Sequence, residues 1–326
     1  MMGTGKYEVS VIVLTYNQRL EAILLTLESI IRQKDIHFEV VISDDGSECF
    51  EQEQIQNYFK SRGFTDYKFL VHEKNVGTMK NYRDALRKAS GFYEKSISPG
   101  DCLAYDRCLA DWVEHIQQTE ADICSGDTIY YQRQGDSFVP VIEVARPQHP
   151  EIYQKRGNRQ KLYYLLFQDL FLGATVLGKR DLVLAYVEKM TDLIMYAEDN
   201  IYRVMSYDGI QFAYLPKTLV YYEWGTGVST AGNSTYAKRL KEDWDNTSAY
   251  IYNRPSRGMF NRMIHRYYEP EPKRNTICGK VYELLLTSKF KGYERKETQK
   301  RLTTEGDLFW LNELKRESRM MTEGRG

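Results

Sequence analysis

A run of ten residues near the start of the chain, EVSVIVLTYN at 8–17, decides the fold. Its apolar and largely β-branched side chains follow one another until Tyr16 and Asn17, which predicts a buried β-strand. The stretch FEVVISDDGS at 38–47 has the same character and ends in two aspartates. Between them, residues 19–33 space their apolar side chains three, four and seven apart, which predicts one face of a helix. These residues therefore predict a strand, a helix and a second strand.

The same alternation continues as far as residue 101. We predict a helix at 53–62, a strand at 67–71, a helix at 78–89 and a strand at 92–97. Strands that alternate with helices form a mostly parallel sheet flanked by helices, an α/β fold. Ligands of such sheets bind at the carboxyl ends of the strands. The polar loops 15–17, 44–47 and 98–101 are expected to converge there.

Beyond residue 103 the pattern weakens. Helices are predicted at 109–118, 162–171, 181–190 and 200–205, and strands at 123–131 and 212–222. From about residue 236 the chain has the composition of helices with polar breaks. We therefore predict an α/β nucleotide-binding and catalytic domain over residues 1–235. A mainly helical C-terminal extension is predicted over residues 236–326.

Composition excludes several classes of protein. The 326 residues contain 45 basic and 45 acidic side chains, so the chain as a whole is not a nucleic-acid-binding polycation. Its five cysteines lack zinc-site spacing, and we expect reduced thiols. No run of 18 apolar residues is present, and residues 1–6 lack the apolar stretch of a signal peptide. These features predict a cytoplasmic protein.

Two of the polar loops contain candidate ligands for a nucleoside. Thr15, Tyr16 and Asn17 combine an aromatic ring with two hydrogen-bonding side chains, which suits a nucleobase, although an ordinary strand end has the same residues. Asp44 and Asp45 could accept from a uracil N–H or from ribose hydroxyls. Taken alone, this pair is better explained as an aspartate-rich turn.

A third loop could receive phosphate. Asn75 and Gly77 precede a predicted helix, whose first N–H groups are free to bind an anion. Lys80 adds a positive charge one turn later. The alternative is a plain helix start with a solvated lysine.

Two later segments could contribute to chemistry. Glu198 and Asp199 follow an apolar stretch, and a carboxylate at an apolar edge can act as a general base. The alternative is an acidic pair that stabilises a helix N-terminus. Residues 222–229, with Trp224, Gly225 and Ser229, could close over a ligand, or could form a hairpin.

The order of these segments closely resembles the family-two glycosyltransferases of the GT-A fold. The resemblance rests on VSVIVLTYN at 9–17, FEVVISDDGS at 38–47, Asn75 to Gly77 with Asn81, and residues 91–93. Weaker matches follow at Gly173 and Ala174 to Thr175, at Glu198 and Asp199, and at 224–229. The resemblance covers about residues 7–230.

The resemblance implies inverting transfer of a sugar from a nucleoside diphosphate, such as a uridine diphosphate sugar, to a hydroxyl. It implies that Thr15, Tyr16 and Asp45 hold base and ribose and that Lys80 lies near the diphosphate. It also implies that Asp199 is the general base, with Glu198 supporting it. The acceptor would be a glycan, a lipid-linked sugar or a protein, as in the synthesis of bacterial surface polysaccharides.

One motif departs from the family pattern. The family usually has Asp-x-Asp at the end of the fourth strand, where it binds Mn or Mg, but the aligned positions here are Ser98 and Gly100. Only Asp101 remains as a possible metal ligand, together with substrate phosphates. The alternatives are a metal-free enzyme and a sugar-nucleotide-binding subunit of a glycosylation complex without turnover.

The C-terminal extension has an uneven charge distribution. Residues 254–301 contain 13 basic and 5 acidic side chains with interleaved aromatic rings. Such a segment could lie on an anionic membrane surface at the inner face of the membrane. A solvated helical face or an oligomer contact would explain the same composition.

Overall fold

The computed structural model describes residues 6–141, 147, 149–166, 168–227, 234–268, 280 and 305–323. Ser229 and most of the basic segment 254–301 lie outside the described residues.

The first half of the chain alternates strands and helices as its sequence predicts. The elements are β1 (Tyr7–Thr15), α1 (Leu20–Ile31), β2 (Phe38–Asp44), α2 (Gln52–Ser61), β3 (Tyr67–Val71), α3 (Thr78–Lys88) and β4 (Gly91–Ile97). Strands β3, β2, β1 and β4 are neighbours in that order, and all three pairings are parallel. In β1 the residues Val9, Val11, Ile12 and Val13 are fully buried, because helices cover both faces of the sheet.

The second half extends the same sheet. Its elements are β5 (Cys102–Leu103), α4 (Cys108–Thr119), β6 (Ile123–Gln134), β7 (Ser137–Pro140), α5 (Asn158–Leu166), β8 (Val176–Lys179), α6 (Arg180–Met190), α7 (Ile201–Asp208) and β9 (Phe212–Glu223). The order continues as β4, β8, β6, β9 and β5, and β7 pairs with β6. Strands β6 and β9 are parallel to β1, whereas β5, β7 and β8 run in the opposite direction. The prediction of an α/β fold with a mostly parallel sheet is confirmed.

This topology brings several chain segments to one edge of the sheet. The carboxyl ends of β1, β2, β4 and β9 lie there because these strands point the same way. The short helical turn Gly173–Thr175 lies there too, because it precedes the antiparallel strand β8. We call this the ligand edge.

One predicted helix is wrong in its extent. The helix expected at 162–171 covers Asn158–Leu166 instead. Gln168 has a φ of +51°, in the left-handed region, and this backbone geometry cannot continue a right-handed helix.

Three described helices follow residue 233. They are α8 (Ser234–Tyr252), α9 (Met259–Tyr267) and α10 (Phe309–Glu323). Ile251 of α8 and Ile264 of α9 are fully buried in the core beside α5 and α7, and Leu311 of α10 is buried beside Leu25 of α1. The helical extension is therefore packed onto the α/β domain, and the boundary at residue 235 stays a prediction.

The structure also bears on the predictions about cysteines and about membrane-spanning segments. Cys49, Cys102, Cys108 and Cys124 are free thiols, as expected. Within the described ranges, no helix is both long and apolar enough to cross a lipid bilayer.

Candidate functional site

The loops after β1 and β2 are joined by hydrogen bonds. Asn17 has a φ of +49°, donates its backbone N–H to Ser47 Oγ (2.7 Å) and accepts from the Glu48 N–H (3.0 Å). Asp44 accepts from the Ser47 N–H (2.8 Å) and from its hydroxyl (2.6 Å). Asn17 and Asp44 therefore hold these two loops in place at the ligand edge. The contacts of Asp44 are those of an aspartate-rich turn, the alternative that the sequence favours for this residue.

Asp45 folds the third loop onto the second. Its Oδ1 accepts from the Val76 N–H (2.7 Å) and its Oδ2 from the Gly77 N–H (3.1 Å). Burial raises the pKa of the Asp45 carboxyl, and these two N–H groups partly offset the rise. Each carboxylate oxygen can accept a second hydrogen bond, so Asp45 can still serve a ligand.

The N–H groups around the start of α3 are partly taken up by the protein. Asp45 accepts from Val76 and Gly77, which precede the helix, and Met195 O accepts from the N–H of Met79 (3.0 Å), the second residue of α3. The prediction of free N–H groups at the start of this helix is therefore wrong for Met79. Sequence spacing could not show that a carboxylate 31 residues earlier folds into this position. Asn75 and Lys80 are exposed here, so Lys80 remains available to an anion.

Aromatic rings border the Asp45 loop. Tyr16 is 40 % exposed, and Tyr196 stacks edge-to-face on Tyr236 of α8, with ring centres 5.5 Å apart. Burial raises the pKa of Tyr196, as do nearby Tyr236, Asp45 and Tyr16. The buried Thr15 Oγ1 has no hydrogen-bond partner among the described residues. Together these groups offer a ligand aromatic faces and one hydroxyl.

The acidic pair lies in a turn that Asp243 holds in place. Glu198 and Asp199 belong to the short helical turn Glu198–Asn200 that precedes α7. Asp243 of α8 is buried and accepts from three consecutive N–H groups, those of Met195 (3.0 Å), Tyr196 (2.8 Å) and Ala197 (3.0 Å). A carboxylate that binds three N–H groups fixes the backbone leading into the acidic pair.

The environment of the pair favours protonation. Burial, followed by the neighbouring Asp199, raises the pKa of Glu198 to about 8. Burial also raises the pKa of Asp199, while the positive charge of Arg203 acts in the opposite direction. Both side chains are half-buried. One carboxyl of the pair can therefore keep a proton at neutral pH, which suits proton transfer.

A cavity of about 180 Å³ lies beside Asp199. Aromatic rings of Tyr164, Phe171 and Trp244 form much of its wall, and Asp199 and Arg203 are among its polar side chains. Gly173 lies next to Asp199, since a Cβ on Gly173 would be 3.1 Å from Asp199 Cβ. The cavity thus joins an aromatic surface to the acidic pair.

Arg203 is a buried cation at this cavity. Its guanidinium lies 3.5 Å from the centre of the Trp244 ring, and it donates to Trp244 O (3.3 Å) and Ser248 Oγ (2.8 Å). Its side chain is among the largest that are fully buried. α8 therefore supplies both a wall of the cavity and the partners of Arg203.

The end of β4 differs from a metal-binding loop. Ser98 is exposed, Gly100 has no side chain and Asp101 is buried, with Oδ1 accepting from the Glu223 N–H (3.0 Å). Burial raises the pKa of Asp101 to about 8. The nearby Glu223 carboxylate lies 3.4 Å from Arg133 and 3.7 Å from Arg19. The described part of the chain contains no cluster of three histidine, cysteine or carboxylate side chains able to hold a metal ion.

The later loop begins after β9. Tyr222 and Glu223 belong to the strand, and Trp224 packs edge-to-face on Tyr130, with ring centres 5.2 Å apart. Gly225 has a φ of +93°, so the chain turns there. Ala174, in the turn beside Gly173, is partly buried against the core.

We call the loops 15–17, 44–47 and 75–77 the donor loops, after the ligand that the sequence predicts for them. Met195 connects them to the acidic pair. Met195 O accepts from the Met79 N–H, and a Cβ on Gly77 would be 3.1 Å from Met195 Cγ. At the same edge Asp101 accepts from the Glu223 N–H, and its own N–H donates to Ser98 O (3.0 Å). Five further residues of this region are not singled out by the sequence: Arg19, Tyr196, Arg203, Asp243 and Trp244. Arg19 adjoins the polar loop 15–17, and Glu223 belongs to the predicted segment 222–229 without being named in it.

Comparison with known proteins gives one family. The model of Glycosyl transferase family 2 matches residues 10–173. Two similar solved structures are Staphylococcus aureus TarS 1-349 with UDP-GlcNAc and with UDP. The first has a TM-score of 0.56 and 16 % identity over 97 % of this chain and 90 % of that chain. The second has a TM-score of 0.53 and 18 % identity over 85 % of this chain and 75 % of that chain.

A third similar structure comes from another organism. It is the mannosyltransferase PcManGT from Pyrobaculum calidifontis with GDP-Man and Mn2+, with a TM-score of 0.53 and 13 % identity. The match covers 99 % of this chain and 89 % of that chain. At these identities the three structures support the shared fold.

Proposed function

Because this chain belongs to glycosyl transferase family 2, we propose that it transfers a sugar from a nucleoside diphosphate donor to a hydroxyl, with inversion. The observation that carries the proposal is the contact between the Asp45–Gly77 loop and the Met195 segment that leads into Asp199. This contact supports the proposal, because the loop that would bind the nucleoside is adjacent to the carboxylate that would act as the base.

We propose a uridine diphosphate sugar as the donor. The TarS structures contain UDP and UDP-GlcNAc, and the mannosyltransferase contains GDP-Man, so both nucleotides must be tested. Tyr16 and Tyr196 would stack on the base, while Asp45 and Thr15 would hydrogen-bond to base and ribose. Asn17 and Asp44 would maintain this loop. Asn75, Gly77, Lys80 and Ser98 would line the donor site.

Asp199 would take the proton from the acceptor hydroxyl as its oxygen attacks the anomeric carbon. The bond from that carbon to the diphosphate oxygen would break, and the electron pair would leave with the diphosphate. Attack on the face opposite the leaving group inverts the anomeric centre. Glu198 would share the charge of the pair, since two adjacent, half-buried carboxyls resist double ionisation.

The cavity beside Asp199 would receive the acceptor. Its volume of about 180 Å³ is below the roughly 300–1,000 Å³ of pockets for drug-sized ligands, which favours a single sugar ring over a longer chain. Aromatic walls suit the apolar face of a pyranose. The acceptor side would be completed by Gly173, Ala174, Trp224 and Gly225, and by Ser229, which lies outside the described residues. That sugar would be the end of a glycan, a lipid-linked sugar or a protein-bound sugar.

A second candidate is a sugar-nucleotide-binding subunit without turnover. The observation that favours it is the replacement of the metal motif by Ser98 and Gly100. Within the described ranges, the carboxylates that Mn or Mg would meet at the end of β4 are the buried Asp101 and the Arg-paired Glu223. These groups do not fit a metal site, and we derive no step through an ion.

Thermal-shift measurements with nucleotide sugars, followed by a donor-hydrolysis assay, test these alternatives. We expect a UDP-sugar to raise the melting temperature and Asp45→Ala to remove the shift. Hydrolysis by the parent that is lost in Asp199→Asn supports the enzyme. Binding without hydrolysis in either protein supports the second candidate. Stabilisation by adenine dinucleotides and by neither UDP nor GDP compounds would contradict both.

A further inference from the structure

A cluster of charged side chains occupies the end of β4 on the ligand edge. Glu223, the last residue of β9, is 2 % exposed and lies beside Gly100. A Cβ built on Gly100, which has a φ of +99°, would collide with Glu223 Oε2. The Glu223 carboxylate therefore fills the space in which a side chain at position 100 would begin. A carboxylate from β9 has taken the place of one from the β4 loop.

Two guanidinium groups face this carboxylate. Arg133 Nε lies 3.4 Å and Arg19 Nη2 lies 3.7 Å from the same oxygen, Glu223 Oε1. A buried carboxylate requires such partners. A divalent cation bound to Glu223 would have to displace these groups and would be repelled by both. The cluster is thus already supplied with positive charge by the protein itself.

Exposure increases from the centre of this cluster outward. The side chain of Arg133 is 16 % exposed, whereas that of Arg19 is 57 % exposed. At 3.7 Å, Arg19 is beyond hydrogen-bonding distance of Glu223, so its N–H donors are not committed there. The Arg19 backbone is fixed, because its carbonyl accepts from the Ala22 N–H (3.0 Å) at the start of α1. Arg19 is therefore an anchored side chain with an accessible cationic end.

Arg19 also lies close to the loop that would bind the nucleoside of the donor. It follows Tyr16 and Asn17 by only a few residues. Its guanidinium lies next to the Glu223 carboxylate, which adjoins the end of β4. A guanidinium binds phosphate oxygens through two parallel hydrogen bonds.

We propose that Arg19, held over Glu223 beside Arg133, binds the diphosphate of the donor and supplies the cation that its departure requires. This inference rests on the proposed function. When the bond from the anomeric carbon to the diphosphate breaks, the leaving oxygen gains the electron pair, and the Arg19 N–H groups donate to the diphosphate. The acceptor proton goes to Asp199, so Arg19 neither gains nor loses a proton.

Calorimetric titrations with UDP and with uridine test this role without relying on turnover. The parent is compared with Arg19→Gln, and Arg87→Gln serves as the control, because Arg87 is similarly exposed at 53 % and pairs with Glu188 away from this edge. Each titration is run with EDTA and with Mn²⁺. Since Arg19 is mostly exposed, its substitution should leave folding intact.

We expect the parent to bind UDP in EDTA with an affinity within about twofold of that in Mn²⁺. Arg19→Gln should weaken UDP binding by about 10- to 100-fold and leave uridine binding unchanged, because only the charged hydrogen bonds to phosphate are lost. Arg87→Gln should match the parent.

Three results would overturn the inference. UDP binding by the parent that disappears in EDTA would assign the diphosphate to a metal. Equal binding of UDP by the parent and Arg19→Gln would remove Arg19 from the site, while leaving the proposed function intact. Failure of the parent to bind either UDP or uridine would overturn the uridine donor and this inference together.

Discussion

The donor loops and the acidic turn are built in opposite ways. In the donor loops, polar side chains bind backbone groups of neighbouring loops within the first hundred residues, as Asp45 binds Val76 and Gly77. In the acidic turn, Glu198 and Asp199 depend on Asp243, which lies 44 residues later in a helix of the C-terminal extension. The difference teaches that the loops of the proposed donor site are held largely by the α/β domain itself, whereas the turn that contains the proposed base is held by a helix packed against that domain.

The first and largest test separates binding from chemistry. Asp199→Asn should lower the transfer rate by about 10²- to 10⁴-fold, the usual contribution of a positioned base. Donor affinity, measured by calorimetry, should change by less than about twofold. Asp192→Asn, an exposed position in the same segment, is the control. A rate for Asp199→Asn close to that of the parent would remove Asp199 from the reaction.

The second test asks whether α8 positions the acidic turn. Asp243→Asn should lower the free energy of unfolding by about 2 kcal/mol, because the N–H groups lose a charged acceptor. The transfer rate should fall about tenfold, while Asp45-dependent binding of UDP persists. Urea unfolding and steady-state kinetics measure these effects.

Asp245→Asn is the matched control, since Asp245 is exposed on α8 and pairs only with Lys241 among the ion pairs of the described residues. If Asp243→Asn lowered donor affinity as much as it lowered the rate, the two regions would not be separable.

A third, smaller effect concerns the cavity wall. Trp244→Phe should raise the KM for the acceptor by about three- to tenfold, because the remaining ring offers less surface to a sugar. The KM for the donor should stay constant. Trp310→Phe, on α10, should alter neither value. A change confined to the KM for the donor would show that the cavity binds the donor and not the acceptor.

The smallest expected effect is on thermal stability. The folded-state pKa of Glu198 is raised from 4.5 to about 8, so the protonated side chain is favoured by folding. Parent and Glu198→Gln should therefore melt alike below about pH 4.5. As the pH rises from about 4.5 to about 8, the parent should lose stability relative to Glu198→Gln, by about 3 °C in all. Melting curves across this range measure the difference, and parallel curves would show that Glu198 titrates normally.

The same contrast explains how much the sequence could predict. Strands β1, β2, β3 and β4 and their polar loops were predicted because period and turn residues are local signals. The glycines and aspartates of the donor loops were found for the same reason. Their detailed contacts were not, since spacing does not reveal that Asp45 takes the N–H groups before α3.

Residues that act across long separations left no such signal. Asp243 lies in a polar helical stretch, where one acidic side chain resembles the next. The sequence has Gly100 where the family resemblance implies a carboxylate, but the packing of β9 is needed to show that Glu223 fills this space. In the sequence, Arg203 has the features of an ordinary helix residue. The structure shows that its guanidinium stacks on the Trp244 ring.

The most direct test of the account is the position of a bound UDP-sugar in a crystal structure. We predict that its base lies between Tyr16 and Tyr196 and its anomeric carbon lies about 6 Å from the Asp199 carboxylate. That distance is the sum of one hydrogen bond and one reacting contact, which leaves room for an acceptor hydroxyl. A nucleotide bound away from Asp45, or an anomeric carbon separated from Asp199 by the width of the sheet, would contradict the account.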